Sequence, residues 1–90
     1  MKATLFFSNE CPDTAPFFAE LKRLGAPLDE IEQIEVQSSL PNLKRFLRLR
    51  DHNAIFDHAK ANGFAGLPAL QLEDGRVILD EKQLTEIFTK

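Results

Sequence analysis

Ninety residues enclose one hydrophobic core and not two, because an independent domain takes about 50 to 200 residues, so residues 1–90 are read as a single domain. Apolar residues make up 43% and charged residues 28%, near the globular average, which excludes a disordered, collagenous or fibrous chain. A net charge of −3 lacks the basic face that nucleic-acid phosphates require. No apolar run reaches the ~20 residues of a bilayer span, so neither nucleic acid nor membrane is an expected partner.

Lys2 to Phe7 is apolar apart from Thr4 beyond its first residue, the pattern of a strand covered on both faces and therefore central in a sheet. The polar turn Ser8-Asn9-Glu10-Cys11-Pro12-Asp13-Thr14 follows, with Pro12 suited to a first helical turn. A helix then runs to Leu24 on the stripe Phe17, Leu21, Leu24, and Gly25 stops it. Ile31 to Val36 alternates as a strand does. Ser39 or Asn42 caps a second helix through about Arg50, carrying Leu43, Phe46, Leu47 and Arg50 on adjacent turns. Asp51-His52-Asn53 interrupts it. A third helix, Ala54 to Ala61, turns Ile55, Phe56 and Ala59 inward and ends at Asn62-Gly63. Leu67 to Leu72 reads as a strand, Glu73-Asp74-Gly75-Arg76 as an Asp-Gly hairpin turn and Val77 to Leu79 as the returning strand. The last helix starts at Asp80 and carries Leu84, Ile87 and Phe88. The order β-α-β-α-α-β-β-α gives an α/β fold: a mixed four-stranded sheet flanked by helices, parallel across the βαβ unit and antiparallel across the hairpin.

The eight Phe, with no Trp or Tyr, carry no polar handle and are assigned mainly to the core. Lys44-Arg45-Phe46-Leu47-Arg48-Leu49-Arg50 interleaves cations with apolar residues and reads as the solvated edge of a helix. His52 and His58 have no partner at metal-ligand spacing, so both are surface histidines and no metal site is expected. The single cysteine cannot close an internal disulfide, which fits a reducing compartment. With no signal-peptide plan at the amino terminus, a cytoplasmic protein is expected.

Cys11 is the candidate for chemistry. It falls between the carboxyl end of the first strand and the amino end of the first helix, where reactive groups collect in parallel α/β sheets. The helix terminus favours thiolate, while the neighbouring Glu10 and Asp13 oppose it with a surface term of similar size, about 0.3–1 kcal/mol. Thr14 has two readings, a hydroxyl bonded to the Cys11 sulfur or a backbone cap. Arg48 and Arg50 are candidates to meet a substrate carboxylate near Cys11.

Cys11-Pro12-Asp13-Thr14 after an apolar strand resembles the Cys-Pro-x-Cys site of glutaredoxins, with Thr14 where dithiol members have a second cysteine. Gly66-Leu67-Pro68 is similar to the Thr-Val-Pro segment whose cis proline faces the active cysteine in that family. The stretch Phe46 to Gly66 is similar to that of small bacterial glutaredoxin-related proteins. The resemblance implies a thioredoxin fold over the whole chain and monothiol thiol–disulfide exchange. Cys11, Pro12 and Thr14 would be catalytic, and Asp13, Gly66, Leu67, Pro68 and Arg50 would bind substrate. The partners would be glutathione, as co-substrate rather than cofactor, or protein thiols and disulfides. Where typical glutaredoxins hold the glutamyl end of glutathione with Gly-Gly-Asp, this chain has Ile78-Leu79-Asp80-Glu81. Two other functions stand beside exchange: a redox-silent module binding extended peptide next to Pro68, and an iron–sulfur carrier using Cys11 from each of two subunits.

Overall fold

The computed structural model describes residues 2–88. Strands β1 (Ala3–Phe7), β2 (Ile31–Glu35), β3 (Ala69–Leu72) and β4 (Val77–Ile78) form one sheet in the order β2-β1-β3-β4. The helices are α1 (Thr14–Arg23), α2 (Leu40–Asp51), α3 (Asp57–Ala61) and α4 (Leu84–Ile87). β1 runs parallel to β2 and antiparallel to β3, and β3 is antiparallel to β4. This is the mixed α/β architecture expected from the element order, with β1 inside the sheet. Among the described residues no helix is long and apolar enough to cross a membrane.

A side-chain period of two divides the sheet into two apolar faces. On one, Ala3, Leu5, Leu70, Leu72 and Ile78 pack with Phe17 and Leu21 of α1 and Leu84 of α4. On the other, Phe6, Ile34, Ala69 and Val77 pack with Phe46 of α2 and with Phe56. Helices therefore cover both sides of β1, which is why its apolar residues run consecutively rather than alternating with charge.

Local chemistry sets the boundaries. α1 closes in a Schellman motif, with Ala26 N–H on the Leu21 carbonyl (3.0 Å) and Gly25 N–H on Lys22 (3.1 Å). Ser39, not Asn42, caps α2, its Oγ accepting from Asn42 N–H at 3.2 Å. Asn42 instead donates its amide to the Glu35 carbonyl (3.1 Å) and to Ser38 Oγ (2.9 Å).

Several expectations are corrected. Residues 54–61 are not one helix: Ala54–Phe56 is a 3-10 turn and only Asp57–Ala61 is α. That turn sends Phe56 into the core and leaves Ile55 49% exposed, since neighbouring residues on a three-fold turn point about 120° apart. β3 begins at Ala69 rather than Leu67, because Pro68 has no N–H for the ladder. The hairpin loop holds three residues: Leu72 N–H bonds the Arg76 carbonyl (2.8 Å) and Gly75 N–H the Leu72 carbonyl (3.0 Å). With Gly75 at φ +94°, this is a type I turn closed by a G1 bulge, not a two-residue turn. Asp80 caps a 3-10 turn, Glu81–Gln83, ahead of α4. Five Phe are buried, but Phe64 is 60% exposed.

Candidate functional site

Antiparallel pairing sets Phe6 of β1 opposite Ala69 of β3. The exit of β1 and the entry of β3 thus lie side by side, one leading into the Cys11 loop and the other preceded by Leu67 and Pro68. Across that junction the Cys11 thiol donates to the Leu67 carbonyl, with Sγ 3.7 Å from the oxygen, and the Leu67–Pro68 bond is cis. Cys11 is half-buried.

The Cys11 loop is held by polar contacts at its base. The Ser8 carbonyl accepts from Cys11 N–H at 3.1 Å and from the Thr14 hydroxyl at 2.5 Å. Neither reading of the Thr14 hydroxyl stands. It bonds neither the sulfur nor a helix N–H but closes the loop, and α1 begins without a side-chain cap at Asp13. Ser8 Oγ donates to the side-chain oxygen of Gln37, and Gln37 in turn donates to the Glu10 carboxylate at 3.3 Å. Glu35 accepts from Asn9 N–H at 2.9 Å and from Gln37 N–H. These backbone donors, Asn9 first, hold its carboxyl below the usual carboxylate range.

The opposing segment is fixed from α2 and from the core. Arg50 donates from Nε to the Ala65 carbonyl and from Nη2 to the Phe64 carbonyl, both at 2.8 Å, and Nη1 lies 3.7 Å from Asp51. Expected as a receptor for a substrate carboxylate, its guanidinium is tied to the backbone just ahead of Gly66. Gly66 itself, at φ +88°, lies so close to the Phe56 ring that an added Cβ would meet it at 2.7 Å.

Two clefts flank Leu67. One, of about 410 Å³, is lined by Cys11, Glu10, Val36, Leu43, Phe46, Leu47, Arg50 and Leu67, among others. The other, of about 350 Å³, is lined by Asp13, Phe17, Leu67, Pro68, Leu79, Asp80 and Glu81. The structure thus brings Cys11, Leu67 and Arg50 to one cleft, and Asp13, Leu67 and Pro68 to the other; Arg48 lines neither. Leu43 and Leu47 line the Cys11 cleft without any sequence motif that marks them as site residues. Their i, i+4 spacing on α2 was legible, but it served equally well as a core stripe. Among the described residues no group of three or more His, Cys, Asp or Glu is arranged to hold a metal ion.

Fold and site together define a mixed α/β domain with one cysteine at the junction of an inner strand and its following helix, against a cis-proline segment. An uncharacterized protein of Haemophilus influenzae is 56% identical over 87 residues, which cover 97% of this chain and 98% of that protein. The chain belongs to the same family as that protein. No family model and no solved structure matches it.

Proposed function

We propose that the chain has a thioredoxin fold of the glutaredoxin-like kind and acts as a monothiol thiol–disulfide exchanger through Cys11. The observation that carries this reading is the half-buried Cys11, its sulfur 3.7 Å from the Leu67 carbonyl and in the lining of a cleft. The strand order β2-β1-β3-β4 and the element order support the fold, as they bring the two proline segments together.

In the first step the Cys11 thiolate attacks one sulfur of a disulfide. The Cys11–sulfur bond forms as the disulfide bond breaks, and the other sulfur leaves as a thiolate that takes a proton from water. An external thiol then attacks the adduct, displaces Cys11 as thiolate and carries the new disulfide away. Among the described residues Cys11 is the only cysteine, so resolution comes from outside the chain.

Intact-mass kinetics with oxidised and then reduced glutathione, and with neutral hydroxyethyl disulfide, test the reading. The wild type should form and release an adduct faster than a cysteine in a model peptide, and Cys11→Ser should form none. A wild-type rate no better than the peptide's rejects exchange.

A second reading is favoured by the carboxylates of Asp13, Asp80 and Glu81 around the cleft next to Pro68. They oppose the net negative charge of glutathione and suit a module that binds extended peptide without redox chemistry. Such binding survives Cys11→Ser, whereas exchange does not.

A further inference from the structure

The clefts on the two sides of Leu67 differ in chemistry, and that difference bears on the substrate. The α2-side cleft has apolar walls, Val36, Leu43, Phe46, Leu47 and Leu67, with Cys11 among its lining. Apolar surface continues beyond it: Leu40, one turn before Leu43, is 61% exposed, and Phe64, beside the cleft-lining Ala65, is 60% exposed. The cleft beyond Pro68 carries three acidic residues and no basic one. The cation near Cys11, Arg50, already serves two carbonyls and stands beside Asp51.

Glutathione suits neither side well, since it brings no apolar side chain to the α2 cleft and sets two carboxylates against a single ammonium before the acidic one. An apolar side chain entering the α2 cleft leaves water to pack on its leucines and Phe46, and a cation toward Asp13, Asp80 and Glu81 meets complementary charge. Resting on the exchange reading, we propose that the disulfide this site accepts belongs to a peptide segment. A large apolar side chain on one side of its cysteine occupies the α2 cleft, and a Lys or Arg on the other faces the acidic cleft.

The test uses capped tripeptides, each a mixed disulfide with thionitrobenzoate: Leu-Cys-Lys and its reverse, Leu-Cys-Glu and its reverse, Ser-Cys-Ser, and glutathione itself. Cys11 attacks the peptide sulfur, the Cys11–peptide disulfide forms, and thionitrobenzoate leaves as a coloured thiolate whose appearance gives the rate. One of the Leu/Lys orders should react about tenfold or more faster than either Leu/Glu order, the size that charge complementarity gives a focused site. Added salt should erode that preference, and Asp13→Asn with Glu81→Gln, which leaves only Asp80, should sharply reduce it. Leu43→Ser should narrow the gap between the Leu/Lys peptides and Ser-Cys-Ser.

Equal rates across the peptides, or glutathione reacting fastest, overturn the peptide assignment while rapid reaction with hydroxyethyl disulfide leaves exchange standing. Inertness toward hydroxyethyl disulfide as well removes the exchange reading and this inference together.

Discussion

A Cβ at Gly66 would stand 2.7 Å from Cδ1 of Phe56, and the backbone there is left-handed. Gly66→Ala therefore meets both a ring in a fully buried position and a disfavoured φ, a destabilisation of about 1–3 kcal/mol. Urea titration measures it, and the loss should shrink when Phe56→Leu removes the ring carbons in the way, because residues sharing one contact are not additive. Additivity of the two changes would mean that the ring is not what resists the methyl. Thr14 calls for a different test. Its hydroxyl bonds the Ser8 carbonyl, which keeps its bond from Cys11 N–H when Thr14 is changed. Thr14→Val should cost about 1 kcal/mol in urea and leave exchange with hydroxyethyl disulfide in place; loss of exchange without loss of stability would restore a role at the sulfur. The position of Thr14 was legible from its spacing to Cys11. Its partner was not, because the hydroxyl has several acceptors within a tight loop and only the folded path of that loop selects Ser8.

α2 shows what an element's own sequence decides. Ser39 has extended backbone and accepts from Asn42 N–H, with Pro41 inside the first turn, a start written in Ser-Leu-Pro-Asn. Ser39→Ala should lower stability by about 0.5–2 kcal/mol, read as a lower midpoint in thermal or chemical denaturation, whereas Asn42→Ala removes two different bonds and leaves the cap. An unchanged midpoint in Ser39→Ala would place the helix start elsewhere. The second half of α2 is less legible. Arg45 pairs with Glu32 of β2 at 2.8 Å and lies 5.9 Å from the Phe6 ring centroid, while Arg50 reaches the carbonyls before Gly66. A run that reads as a uniform solvated edge is divided by what lies across from each turn. Likewise, residues 54–61 and the hairpin had recognisable ends, but their internal geometry followed from burying Phe56 and from the Asp74 carboxylate, which accepts from Arg76 N–H at 3.0 Å.

Among the described residues, four carboxyls sit below their ordinary range: Glu20 through its bond with Arg23, Glu32 through Arg45, Glu35 through Asn9 N–H and Asp74 through Arg76 N–H. Each binds a proton less readily folded than unfolded. Their stabilisation is therefore complete above the unfolded values, about 4, and is lost as pH falls through the lower folded ones. Glu32 and Asp74 are exposed and Glu20 and Glu35 only half-buried, so each contribution is small. The urea midpoint should decline from pH 7 to pH 3, and Glu35→Gln should reduce the decline; a midpoint that holds or rises on acidification contradicts the sign. The linear chain by itself determined that β1 is an inner strand, since consecutive apolar residues need two covered faces, and that Cys11 sits where a strand hands over to a helix. It also placed Pro68 at the entry of a later strand. Only the tertiary structure decided that Cys11 and Leu67, 56 residues apart, meet at 3.7 Å, that Arg50 serves the backbone, and that one cleft is apolar and the other acidic. Periodicity records which face of an element is buried, whereas the partner of a polar side chain depends on strand register and loop path, which no local pattern carries.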